Sequence, residues 1–262
     1  MTASEILVPG RRALVTGAAG GIGSAAVRLL AAAEMEVVAV DLPSEALAAQ
    51  ASMPRVTTRS VDVSDAGAMS SLAKEVGPVD LLMSNAATRA GKGFDAPRDE
   101  WRMAFDVNFW GVVNGVDAFL PGMQAAGRGM IVNVGSKQGI TNPPGHPVYN
   151  ATKAALKSYT ESLEHMLREA GGAISAHLLI PGFTLENAAT RNAGAWEPEQ
   201  VVERMIEGLK ARSFYILCPD NEVTPDMDAR RIAWAAGDIT EDRPPLSRWH
   251  AAWRETAAKA CN

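Results

Sequence analysis

The chain is short of cysteine. Cys218 and Cys261 are its only two, and no Cys-x-x-Cys occurs. Two cysteines can form one bridge but not a disulfide framework, and the metal and redox motifs built on paired cysteines are missing. Basic charge is also scarce: 25 Lys and Arg stand against 30 Asp and Glu, a formal net charge of −5. A nucleic-acid-binding face declares itself as a basic excess, and there is none. No apolar run approaches the roughly 20 residues that cross a bilayer. The opening MTASEILVPGRR has no apolar stretch behind a basic start, so it does not read as a secretory signal. The four histidines, His146, His165, His177 and His250, lie far apart without metal-ligand spacing. These absences point to a cytoplasmic protein with no metal, no nucleic-acid partner and no membrane.

What is plentiful is apolar side chain, 47% of 262 residues, enough for one substantial core. We expect one domain over 1–262, with 238–262 as a C-terminal tail. Short apolar runs occur at 12–17 (RALVTG), 36–42 (EVVAVDL), 79–85 (VDLLMSN), 129–136 (GMIVNVGS) and 174–182 (ISAHLLIPG). They are continuous rather than alternating, as strands buried on both faces are. FYILC after residue 212 reads as a last strand. Helical composition fills 20–33, 44–50, 66–76, about 97–126 and 149–170, and returns in DMDARRIAWAAG and RWHAAWRETAAKA as surface helices. The stretches 142–147 and 181–198 read as loops. This rhythm predicts an α/β fold: a Rossmann-like, doubly wound parallel sheet with helices on both faces.

TGAAGGIG at 16–23 follows the first strand and opens the first helix. Its glycine spacing is not GxGxxG, but Gly17, Gly21 and Gly23 meet similar demands: a sharp turn, close approach to a pyrophosphate, and tight helix packing. The phosphate would sit on the helix N-terminus. No Gly-Lys-Ser/Thr follows, which excludes a P-loop. Asp41 ends the second strand, where a carboxylate accepts ribose hydroxyls and repels a 2′-phosphate, favouring NAD over NADP. Its other reading is a helix N-cap. Asp62, in SVDVSD after a third strand, either bonds the adenine amine or caps the next helix.

Tyr149 and Lys153, in VYNATKAAL, are four apart and share a helix face. By themselves they are an ordinary helix surface. In the company of TGAAGGIG, Asp62 in VDV, SNAA at 84–87, NFWG at 108–111, VNVGS at 132–136, YNATK at 149–153 and PGFT at 181–184, the sequence resembles the short-chain dehydrogenase/reductase family along almost its whole length. The resemblance implies a nicotinamide cofactor and hydride transfer between an alcohol and a carbonyl. It implies Asn108, Ser136, Tyr149 and Lys153 as the catalytic set. Cofactor contacts would come from Gly17, Gly21, Ile22, Gly23, Asp41, Asp62, Val63, Asn85, Ala86, Tyr149, Lys153, Pro181, Gly182 and Thr184, and the assembly would be a homodimer or homotetramer.

The residue types suit that chemistry. A phenol ordinarily releases its proton near pH 10, and an adjacent ammonium favours the phenolate. Ser136 at a strand end can bond the substrate oxygen, and Asn108 inside a helical segment can bond backbone and bend the helix. The family's Asn-Asn-Ala-Gly is here Ser84-Asn85-Ala86-Ala87, Glu186 stands where a threonine is common, and a Trp/Arg-rich tail replaces the usual last strand. Substrate candidates are Gln138, His146 and Phe183, with Thr88, Arg89, Glu186 and Trp196 nearby. Each reads equally as a solvated loop residue. The other function to weigh is a catalytically silent dinucleotide-binding redox sensor.

Overall fold

The computed structural model describes residues 3–185 and 194–261. After a short helix α1 (Ala3–Ile6), strands β1 (Arg12–Thr16), β2 (Glu36–Asp41), β3 (Val56–Ser60), β4 (Leu81–Ser84), β5 (Gly129–Val134), β6 (Ile174–Ile180) and β7 (Tyr215–Leu217) form one sheet in the order β3-β2-β1-β4-β5-β6-β7. Every pairing is parallel. The strand order reverses between β1 and β4, and crevices at such a switch point, beyond the strands' carboxyl ends, are where ligands bind in open α/β sheets.

The continuous apolar runs follow from burial on both faces. Successive side chains of a strand point to opposite sides, and here both sides are core. Ala13 and Val15 of β1 join Met130, Val132 and Val134 of β5 on one face. Leu14 and Ile131 join the other. The first face is covered by α2 (Gly21–Ala32), α3 (Glu45–Gln50) and α9 (Pro198–Lys210), which contribute Val27, Leu30, Leu47, Val202 and Met205. The second is covered by α4 (Ala66–Val76), α6 (Gly111–Ala126) and α8 (Pro147–Glu169) through Met69, Leu72, Val116, Phe119 and Leu156.

Three elements differ from the sequence expectation. The segment 97–126 is not one helix: α5 (Arg98–Phe105) and α6 are joined by a π-helical turn over Asp106–Trp110. α9 fills a stretch not expected to be helical, opened by Pro198 and a reciprocal cap between Glu197 and Gln200. The C-terminal part forms α10 (Pro225–Thr240), two 3-10 turns (Ser247–Trp249 and Ala251–Trp253) and α11 (Arg254–Cys261). It is more than a pair of surface helices. The Arg243 guanidinium lies 4.0 Å from the Trp234 ring centroid and 5.9 Å from that of Trp253, and α10 packs on the short helix α7 (Gln138–Thr141). Among the described residues no helix is long and apolar enough to cross a membrane, and no three His, Cys, Asp or Glu side chains could hold a metal. Cys218 and Cys261 are buried and free.

Candidate active site

A cavity of about 1090 Å³ opens at the carboxyl ends of β1, β2, β4 and β5, lined there by Gly17, Asp41, Asn85 and Val134. At one end the chain turns sharply from β1 into α2. Gly17 has φ 65°, and a Cβ on it would sit 2.7 Å from the Ala86 Cα. A Cβ on Gly23 would sit 2.0 Å from the Gly17 carbonyl oxygen. Only glycine permits this crossing. Asn85 locks it: its Nδ2 donates to the Thr16 and Gly17 carbonyls, each at 3.1 Å, and its own amide donates to Thr16 Oγ1 at 3.0 Å. No side chain caps α2, and its first turn carries no acid. That leaves a positive helix terminus facing the cavity, where a phosphate fits.

Asp41 accepts from the Ala19 and Leu42 amides at 2.8 and 2.7 Å, bracing the glycine loop. Ser44, not Asp41, caps α3. Asp62 closes a turn by accepting from the Ser64 amide and hydroxyl, while Asp65 caps α4. Asp41 and Asp62 line the cavity, as do Gly21, Ile22, Val63 and Ala86.

The other end is built by β5, α7 and α8. Ser136 follows β5, and its Oγ accepts from the Gln138 amide at 3.2 Å. Pro147 opens α8, so Tyr149 and Lys153 fall in its first two turns. Lys153 is 3% exposed, donates to the Val134 carbonyl at 2.7 Å, and lies 5.6 Å from the Tyr149 ring centroid. Burial, then the charge of Arg89, lowers its pKa to about 8. The Arg89 guanidinium stands at the same 5.6 Å distance from the Tyr149 ring. A Cβ on Gly139 would fall 2.6 Å from the Lys153 carbonyl carbon, so the backbones of α7 and α8 touch. Ser136, Tyr149, Lys153, Pro181, Gly182 and Thr184 all line this end of the cavity.

Asn108 is wholly buried in the π turn and does not reach the cavity. Its Oδ1 accepts from the Thr88 amide at 2.7 Å. Its Nδ2 donates to the Thr88 carbonyl at 2.9 Å and to Thr152 Oγ1 at 3.1 Å, and Thr152 donates to the Tyr149 carbonyl at 2.8 Å. The π turn supplies the extra residue that swings this amide onto the chain leaving β4.

A family model for the short chain dehydrogenases matches residues 11–198. The chain belongs to that family. A short chain dehydrogenase/reductase from Burkholderia phymatum, solved in complex with NAD, is similar with a TM-score of 0.81 and 30% identity, covering 90% of this chain and 96% of that one. L-xylulose reductase of Mesocricetus auratus is 40% identical over 162 residues, 61% of this chain and 66% of the relative. The 2-keto-3-deoxy-L-fuconate dehydrogenase of Xanthomonas campestris is 34% identical over 165 residues, 62% of this chain and 55% of the relative. The family match ends where α9 begins, so α10 and the tryptophan-rich tail lie beyond it.

The substrate candidates of the sequence lie in different places relative to the cavity. Phe183 is 63% exposed and does not line the cavity; Leu185, two residues on, does. Gln138 sits in α7 with its Oε1 buried, and His146 occupies the N-cap position of α8. Neither lines the cavity. Trp196 packs against the core. Thr88 and Arg89 do line the cavity. Glu186 lies outside the described residues. Gly139, Thr152 and Lys137 were missed by sequence reasoning; the Ser136-x-x-Gly139 spacing carried the signal for the first.

Proposed function

We propose that the protein is an NAD-dependent alcohol dehydrogenase or carbonyl reductase acting on a small secondary alcohol or ketone, with Tyr149 as general acid and base. The observation that carries this reading is that one cavity joins the Gly17–Ile22 turn and Asp41 at one end to Ser136, Tyr149 and Lys153 at the other. The crossed glycine turn and the uncapped α2 terminus suit a pyrophosphate, and Asp41 at the end of β2 suits a ribose without a 2′-phosphate. Bound NAD supplies the hydride acceptor for the carbinol carbon, and its reduced form the donor in the reverse direction.

The chain's own work is to hold the alcohol and move its proton. Ser136 Oγ donates to the substrate oxygen and stabilises charge that develops there. Tyr149 Oη takes the hydroxyl proton as the C–H bond breaks, and returns it in reduction. Lys153 and Arg89 set two cations against the Tyr149 ring, which favours the phenolate. Pro181, Gly182 and Thr184 would wall the nicotinamide. Asn108 acts through Thr88 and Thr152, holding α8 in register with the chain after β4.

Trp110 on the π turn and Met166 on α8 are about half exposed, apolar positions that suit assembly as a homodimer or homotetramer. Two buried free cysteines suit the reducing cytosol. No observation favours the silent redox sensor. The test is NADH absorbance over a panel of secondary alcohols and ketones. The wild type turns over at least one of them, and Tyr149→Phe loses that activity. A Tyr149→Phe variant with full activity would refute the mechanism.

A further inference from the structure

Lys137 follows Ser136 directly, yet its side chain turns away from the cavity. Its Nζ lies 2.6 Å from Asp228 Oδ2 and 3.6 Å from Asp220 Oδ2. The side chains of both carboxylates are about 95% buried, at 4% and 6% exposure. Three charges are thus sequestered together. Sequestering them is costly, and a buried ion cluster is weak evidence for stability. Burial accordingly raises the Asp228 carboxyl above the ordinary carboxylate value, with Lys137 opposing the rise.

The position of the cluster suggests what it is for. The Lys137 amide donates to the Pro181 carbonyl at 3.1 Å. A Cβ on Gly182 would fall 2.8 Å from Asp220 Oδ2 and 3.1 Å from Lys137 Nζ. The cluster therefore presses on the back of the Pro181–Gly182 turn, whose front lines the cavity. Asp220 sits in the loop after β7, where Asn221 binds the Gly194 and Ala195 carbonyls from its amide and Nδ2, each at 3.0 Å. Asp228 comes from the first turn of α10, which is capped by Thr224. Four separate segments meet on one ammonium: the Ser136 turn, the Pro181–Gly182 turn, the loop at 219–223 that grips residues 194–195, and α10.

We propose that Lys137 is a positioning residue. Through Asp220 and Asp228 it fixes Ser136 and Gly182 relative to each other, and the α10 and tail region beyond the family match serves to deliver Asp228 to it. The consequence for catalysis rests on the reading of Ser136 and the cavity given above. The physical coupling does not.

Hydrogen exchange by mass spectrometry on Asp228→Asn separates the two. Amides at 136–141 and 182–185 exchange faster in the variant, although they lie far from residue 228 in sequence. A change confined to 219–240 overturns the proposal whether or not the protein turns over any alcohol. With an alcohol found by the panel, kcat of Asp228→Asn and of Lys137→Met falls about tenfold, since small misplacements of reacting groups have effects of this order or larger. KM for NAD stays within about twofold, and the double variant is no worse than the singles because the residues act as one unit. Asp228→Glu keeps the charge and moves the carboxylate by one methylene. It keeps the fold if Asp228→Asn does not, and shows the faster exchange at 136–141 with a lower kcat at unchanged KM. Unchanged kcat and exchange in Asp228→Glu, or multiplicative losses in the double variant, would overturn the proposal. Turnover by no substrate, with exchange coupled as stated, would refute the dehydrogenase reading and leave the positioning role standing.

Discussion

Lys153 costs the folded protein stability at neutral pH, and the cost has a defined pH window. In the folded chain its pKa falls from the ordinary 10.5 to about 8, first because the ammonium is buried and second because Arg89 is near. At about 1.4 kcal/mol per pH unit, that fall corresponds to about 3 kcal/mol. Below pH 8 both folded and unfolded chains hold the proton, so the full cost applies. Between pH 8 and 10.5 the unfolded chain binds more protons, so folding gains stability as pH rises; above 10.5 the cost is gone. Lys153→Met removes the titration. It also strands the Val134 carbonyl, which loses its 2.7 Å bond, a penalty of about 1–3 kcal/mol that does not vary with pH. Urea unfolding of the wild type and Lys153→Met at pH 7, 8.5 and 10 gives the difference, in which all other titrations cancel. We expect the wild type to gain about 3 kcal/mol on the variant between pH 7 and the alkaline limit. A difference that stays flat would show that Lys153 is not desolvated. One that moves against the wild type would show a lysine stabilised by a partner.

Asn108→Ala strips both Thr88 backbone groups and Thr152 of their buried partner, so urea unfolding should show a loss of about 3 kcal/mol. In the same variant kcat should fall more than KM rises, because Asn108 orients α8 rather than lining the cavity; a change in KM alone would contradict this. Asp41→Ala should lower the NAD-to-NADP ratio of kcat/KM about tenfold or more, by removing the carboxylate that repels a 2′-phosphate. An unchanged ratio would remove Asp41 from cofactor selection.

The sheet was legible because its central strands are apolar on both faces. Each of β1, β2, β4 and β5 reads as an unbroken run, and its two side-chain sets split between the two core layers. The edge strand β3, VTTRS, buries only Val56 fully, so its sequence carries little pattern. α9 is left unassigned by the sequence reading, between the loop at 181–198 and the strand FYILC, although Pro198 and the apolar spacing of Val201, Val202, Met205 and Leu209 suit a helix. The glycine turn, Asp41, Ser136, Tyr149 and Lys153 stand out in the sequence by residue type and spacing, and all of them line one cavity. The substrate candidates were less so. Gln138, His146 and Phe183 were chosen for nearness in sequence to Ser136, Tyr149 and Pro181, and nearness in sequence does not say where a side chain points. Lys137 shows the same gap from the other side. It adjoins Ser136, yet its partners lie 83 and 91 residues further along the chain, brought to it by the loop after β7 and by the packing of α10 on α7.

An isotope reports on hydride transfer itself. The protein is incubated with NAD and a secondary alcohol deuterated at the carbinol carbon, and the reduced cofactor is weighed by mass spectrometry. The wild type is expected to yield reduced cofactor carrying one deuterium, and Tyr149→Phe to yield none. Tight NAD binding with no deuterium transferred from any alcohol of the panel would contradict it.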